Sequence, residues 1–158
     1  MKILTIGTNG FLGSWVNKIL KSEYSNFEIL EIPGKEECDL TEFSEISNYL
    51  KEKSPDVVIN CAAFVGGISY GYKYPVEMLS KNSLMAMNIY KASYDNSVKK
   101  LINPISNCAY PAEFTTYKEE DIFNGPPDKS VFNYALSKRL FIQLGQAYFD
   151  QYTFSSAN

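Results

Sequence analysis

Apolar residues recur along this chain in two rhythms that take turns. Short runs with strand character occupy Lys2–Ile6, Phe27–Ile32, Asp56–Asn60, Val98–Asn103 and Phe154–Asn158. Between them the apolar positions fall at helical spacing: Ser14–Lys21, then Phe43, Ile46, Tyr49 and Leu50, then Val76–Ser97, then Asn133–Tyr152. Thr41 is placed to cap the second of these helices, and Pro75 suits the first turn of the third. Strand alternating with helix predicts an α/β protein built on a doubly wound parallel sheet. The third helix carries Met78, Leu79, Leu84, Met85, Met87, Ile89 and Tyr90 on more than one face, so both sides must be covered. One side packs on the sheet; the other meets either a second subunit, together with helix 133–152, or another part of the same chain.

The first strand runs straight into Gly7, Gly10 and Gly13, spaced GxxGxxG, and these open the first helix. Such a turn needs one residue free to take positive φ, one bare backbone where a pyrophosphate approaches, and one small residue where helix crosses strand. The segment Gly7, Thr8, Asn9, Gly10, Phe11, Leu12 and Gly13 is therefore a candidate cradle for a dinucleotide in a Rossmann fold, with a purely structural turn as the alternative. At the end of the second strand Glu31 suits the ribose diol of NAD, while Lys35 suits the 2′-phosphate of NADP; ordinary solvated charges are the third reading. Ala62 and Ala63 follow the third strand, where small residues leave room for a cofactor or simply pack closely. Phe64–Tyr74, rich in glycine and tyrosine, reads as a loop at the ligand edge of the sheet.

The bulk numbers narrow the field. With 158 residues, 45% hydrophobic and 21% charged, the chain suits one globular domain spanning residues 1–158. A formal net charge of -3 and the absence of any basic cluster argue against a nucleic-acid partner. There is no histidine, and the three cysteines, Cys38, Cys61 and Cys108, are scattered, so no metal site is expected. No segment reaches membrane-spanning length, and a reducing, cytoplasmic location is the expectation.

The last helix begins with Tyr134-Ala135-Leu136-Ser137-Lys138. Four residues at 3.6 per turn put Tyr134 and Lys138 on one face, one turn apart. A phenol with an ordinary pKa of about 10 is a poor acid or base near neutrality, and a neighbouring ammonium is expected to lower it. Ser106, beyond the fourth strand, can supply a second hydrogen bond to a substrate carbonyl, completing a proton-transfer site beside a nicotinamide. Pro104 conflicts with that strand, marking either a bulge that aims Ser106 or an early end to the strand. Thr115–Val131, with Gly125-Pro126-Pro127, is a surface loop.

With Gly7, Gly10, Gly13, Ser106, Tyr134 and Lys138 together, the sequence resembles the extended short-chain dehydrogenase/reductase family, whose signature is a GxxGxxG turn with catalytic Ser, Tyr and Lys in YxxxK spacing. Asp39-Leu40-Thr41, Ala62-Ala63-Phe64-Val65-Gly66-Gly67-Ile68, Ser106-Asn107-Cys108-Ala109-Tyr110-Pro111 and Tyr134–Lys138 are most similar to members acting on GDP-4-keto-6-deoxy sugars. The resemblance implies NADPH-dependent reduction, with Tyr134 giving a proton to the sugar C4 oxygen, Lys138 holding the ribose and Ser106 orienting the carbonyl. It places Cys108 on the residue that moves protons at C3 and C5; read from the residues alone, Cys108 is equally a small buried side chain. It also assigns Asp39, Leu40, Ala62, Ala63 and Asn158 to the cofactor, a GDP-linked sugar as substrate, and a homodimer. The family's second epimerisation residue is a histidine, which this chain lacks. Members run about twice this length, so the expected object is the cofactor half of a longer protein. Two other functions stay open: an NAD-dependent sugar-nucleotide epimerase or dehydratase, and an inert cofactor-binding or dimerising module.

Overall fold

The computed structural model describes residues 1–158. Its strands are β1 (Lys2–Ile6), β2 (Glu28–Ile32), β3 (Val57–Asn60), β4 (Lys100–Ile102) and β5 (Ser156–Ala157). All pair in parallel, in the order β2-β1-β3-β4-β5. The helices are α1 (Phe11–Glu23), α2 (Phe43–Lys53), α3 (Ile68–Lys73), α4 (Pro75–Asp95) and α5 (Phe132–Tyr152), with short 3-10 turns at Asn107–Ala109 and Glu119–Asp121. After β2 the chain steps back over β1 to make β3, which reverses the winding direction. Right-handed crossovers then place α1 on one face of the sheet and α2, α4 and α5 on the other. The contacts agree: α1 packs on β1 and β2, while α4 lies between α2 and α5.

That second face holds the core. Leu4, Val58 and Leu101 stand in register across β1, β3 and β4, and all three are fully buried against Ile46 and Leu50 of α2, Ala86, Ile89 and Tyr90 of α4, and Phe141 of α5. Helix α4 thus finds cover within its own chain on both flanks, while Leu84, Met87 and Tyr94 stay exposed.

Several sequence expectations change in detail. Thr41 does not cap α2; Glu42 holds the N-cap position, and Thr41 instead donates from its N–H and hydroxyl to Asp39 Oδ1 at 3.0 and 2.7 Å. A short-range bond two residues away outcompetes the cap. The segment 64–74 is not all loop, because Ile68–Lys73 closes into α3. At Pro104 the strand ends early: β4 stops at Ile102, with one last backbone bond from Asn103 N–H to the Ala157 carbonyl at 2.8 Å.

One buried group in β1 lacks a partner. Thr5 is fully buried and its hydroxyl makes no hydrogen bond. Thr5→Val keeps the β-branched shape and removes the unpaired group, so it is expected to stabilise the fold by about 1 kcal/mol. Urea unfolding checks this, and a lower midpoint would mean that the hydroxyl is satisfied after all.

Candidate active site

The turn after β1 is built as its glycines require. Gly7 takes φ +82°, and its N–H donates to the Ile32 carbonyl at 2.7 Å, tying the turn to the end of β2. A Cβ on Gly7 would lie 2.9 Å from the Ala62 nitrogen, so the turns after β1 and β3 meet backbone to backbone. Gly10 N–H closes onto the Gly7 carbonyl at 3.0 Å, and Gly10 caps α1 without any side-chain bond. The first N–H groups of α1 therefore remain available at its positive end.

A cavity of about 460 Å³ opens over this turn, lined by Gly7, Gly10, Pro33, Gly34, Lys35, Asp39, Leu40, Cys61, Ala62, Ala63 and Phe64 among others. It lies at the point where the winding reverses, outside the carboxyl ends of β1 and β3, where open α/β sheets hold ligands. The two charges offered by the sequence separate here. Glu31 is drawn onto α1, accepting from Asn17 Nδ2 at 2.7 Å and Lys21 Nζ at 3.2 Å, and does not line the cavity. Lys35 does line it, and its ammonium pairs with Asp39 Oδ2 at 2.8 Å. That bond, helped by Thr41, holds the Asp39 carboxyl down at about 2. Of the remaining turn residues, Thr8 and Gly13 are buried, while Asn9, Phe11 and Leu12 are exposed.

A second cavity, of about 380 Å³, adjoins the first along the chain, since Phe64 lines one and Val65 the other. Tyr134 and Cys108 face it, with Gly66, Gly67, Tyr72, Met78 and the segment Lys129–Asn133. Burial pushes the Tyr134 phenol up, with Cys108 adding to the effect. The expected lowering by Lys138 is therefore corrected: the shift is upward, and burial is its main cause. Lys138 is itself buried, its Nζ 5.8 Å from the Tyr134 ring centroid and 3.4 Å from the Pro104 carbonyl, its one hydrogen-bond acceptor. Burial pulls its pKa down, and Cys61 pulls the other way.

Ser106 and Asn158 line a third hollow, of about 410 Å³. The Ser106 hydroxyl accepts from Cys108 N–H at 3.2 Å, capping the 3-10 turn that carries the cysteine. Asn158 accepts from Tyr90 OH at 2.9 Å and from Asn103 Nδ2 at 3.0 Å. The structure thus brings Tyr134 and Cys108 to one cavity with Lys138 beside them, and sets Ser106 and Asn158 at another.

Sequence reasoning missed three residues that shape these cavities. Asn82 on α4 grips Phe64 from both sides, accepting its N–H at 2.9 Å and donating to its carbonyl at 2.8 Å. Asn60 Oδ1 accepts the Ala62 N–H at 3.1 Å. Arg139 donates to the carbonyls of Ala109 at 2.7 Å and Gly125 at 2.8 Å, binding the cysteine turn to the Gly125-Pro126-Pro127 loop. An asparagine in an apolar stripe was the available signal for the first two.

A glycine turn that any Cβ would fill, with free helix N–H groups, opens on a groove whose lining includes two lysines, Lys35 and Lys81. A tyrosine lines the adjoining cavity, with a buried lysine beside it. This fits a pyrophosphate-linked dinucleotide, and comparison with known proteins agrees. Residues 3–158 match the model of the NAD dependent epimerase/dehydratase family, and the chain belongs to that family. It is 35% identical over 139 residues to GDP-L-colitose synthase of Yersinia pseudotuberculosis, covering 87% of this chain and 44% of that protein. It is 34% identical over 144 residues to GDP-L-fucose synthase of Azorhizobium caulinodans, covering 90% of this chain and 45% of the relative. Among solved structures, a GDP-L-fucose synthetase from Naegleria fowleri bound to NADP superposes with a TM-score of 0.86 at 30% identity, over 99% of this chain and 47% of that one. The chain spans a little under half the length of these relatives. No helix is long and apolar enough to cross a membrane.

Proposed function

We propose that residues 1–158 are the dinucleotide-binding domain of an NADPH-dependent enzyme that reduces the C4 carbonyl of a GDP-linked 4-keto-6-deoxy sugar. The observation that carries this reading is the pair of adjoining cavities, with the bare glycine turn in one and Tyr134 in the other. The turn Gly7–Gly13 would take the pyrophosphate on the N-terminus of α1. Asp39, Leu40, Ala62 and Ala63 would line the adenosine side, and Lys35 would meet the 2′-phosphate. The cofactor, when bound, would supply hydride to the sugar.

The chain's own residues supply the rest. Because burial raises its pKa, Tyr134 keeps its proton near neutrality, which is the form that donates to a C4 oxygen. Lys138 uses one acceptor at 3.4 Å, although an ammonium has three donors, so it can hold the ribose hydroxyls. Ser106 lines a separate hollow and caps the turn that carries Cys108, so orienting the carbonyl would require its hydroxyl to leave that cap; Cys108, on the same cavity as Tyr134, would serve proton transfer at C3 and C5. The reading includes a homodimer through α4 and α5, where Leu84, Met87, Phe149 and Tyr152 are exposed, and a cytoplasmic setting.

Titration of this chain with NADPH and NADH, followed by nicotinamide fluorescence, tests the cofactor assignment. NADPH is expected to bind about tenfold more tightly, a gap that Lys35→Ala closes by removing one phosphate contact. Equal affinities in the parent chain would reject NADPH as the preferred cofactor, and binding of neither would reject the dinucleotide site. With sugar nucleotide added to the full-length enzyme, turnover without net NADPH consumption would point to an epimerase or dehydratase that returns its hydride.

A further inference from the structure

Three asparagines stand side by side across the sheet. Asn60, at the end of β3, follows the register of Ile59 with Ile102, which sets it beside Asn103; Ile102 pairs with Ala157, which sets Asn103 beside Asn158. Their side-chain amides connect in one direction. Asn60 Nδ2 donates to Asn103 Oδ1 at 3.2 Å, and Asn103 Nδ2 donates to Asn158 Oδ1 at 3.0 Å. Tyr90 OH, from α4, donates to that same Asn158 oxygen at 2.9 Å and accepts from Asn103 Nδ2 at 3.4 Å. Helix α5 leaves room for this row only because it has Gly145 there; a Cβ would lie 2.8 Å from Ser156 Oγ and 2.9 Å from Tyr90 OH.

Asn60 and Asn103 are each only 2% exposed, on the core face of the sheet beside Leu101 and Val58. Apolar residues would fill those positions without the cost of desolvating two amides. The row has a directional consequence instead. With its Nδ2 claimed by Asn103, Asn60 can point only its oxygen toward the next turn, where it accepts the Ala62 N–H at 3.1 Å. Ala62 is the residue whose backbone meets Gly7.

We infer that Asn60 and Asn103 are positioning residues for the dinucleotide: their amide row, anchored by Tyr90, fixes the Ala62 backbone against the glycine turn. Neither touches the cofactor. The inference rests on reading the first cavity as the dinucleotide site.

The test compares the parent chain with Asn103→Leu and Tyr90→Phe, using amide hydrogen exchange by NMR and NADPH titration. Asn103→Leu leaves the Asn60 amide free to turn, so protection of the Ala62 N–H is expected to fall about tenfold relative to the Val58 N–H, and the NADPH Kd to rise about tenfold. A purely structural role would lower protection at Ala62 and Val58 together. Tyr90→Phe removes only the anchor and is expected to move both readouts in the same direction by about threefold; it decides the matter if Asn103→Leu does not fold. Unchanged relative protection at Ala62 overturns the inference, as does unchanged NADPH affinity where that protection falls. If the parent chain does not bind NADPH, the dinucleotide reading fails, and the exchange measurement still decides whether the row holds the turn.

Discussion

Gly13→Ala is expected to abolish measurable NADPH binding, at least a hundredfold loss, and to destabilise the fold by about 3 kcal/mol. Gly13 lies in the first turn of α1, where the helix crosses the end of β1. A Cβ there would overlap the Gly7 carbonyl oxygen and lie 2.7 Å from the Gly7 carbonyl carbon and 3.1 Å from Thr8 Cα. All three are backbone atoms, and none can yield alone. The Gly7 N–H is committed to Ile32 and its carbonyl to Gly10 N–H, so relief requires α1 to lift from β1. That movement turns the free N–H groups away from the cavity. Urea unfolding and NADPH titration measure the two effects, and Gly67→Ala is the control. Nothing lies within 4 Å of a Cβ at Gly67, so stability should stay within about 0.5 kcal/mol of the parent. Retained binding in Gly13→Ala would mean that the glycine turn is not the phosphate cradle.

Lys138→Met is expected to move stability and binding in opposite directions. The ammonium is buried and has one long hydrogen bond, to Pro104 at 3.4 Å, with the faces of Tyr134 and Phe141 5.8 and 5.1 Å away. Its pKa is pulled down in the folded protein, so the unfolded chain holds that proton more firmly. Stability should therefore rise with pH between the depressed value and the ordinary lysine value of about 10.4, and this rise should vanish in Lys138→Met. At neutral pH the methionine fills the same space without a desolvated charge and should stabilise by about 1 kcal/mol. The NADPH Kd should rise roughly thirtyfold, because charge-assisted bonds to the ribose are lost. Denaturation from pH 7 to pH 10 and NADPH titration supply the measurements. A variant less stable than the parent would show that Lys138 holds the fold together, while unchanged affinity would remove it from the cofactor site.

Both effects come from contacts whose elements were visible in the sequence and whose consequences were not. The apolar runs located all five strands, and the helical spacing located four of the five helices, because both rhythms depend on which neighbours a residue can share a face with. The GxxGxxG turn and the Tyr134 and Lys138 spacing were legible for the same reason: each is complete within seven residues of chain. So was the family resemblance, which the match over residues 3–158 bears out.

What needed the tertiary structure is everything set by residues far apart in the chain. Glu31 and Lys35 were equal candidates until α1 took the first, through Asn17 and Lys21, and left the second in the cavity. The Tyr134 shift runs opposite to the expectation, since spacing gives the neighbouring ammonium but not the burial that sets the direction. The amide row joins Asn60 to Asn103, 43 residues on, and Asn103 to Asn158, 55 further. A local pattern records only which face a residue occupies; which distant side chain it meets there is decided when the strands take their order and register.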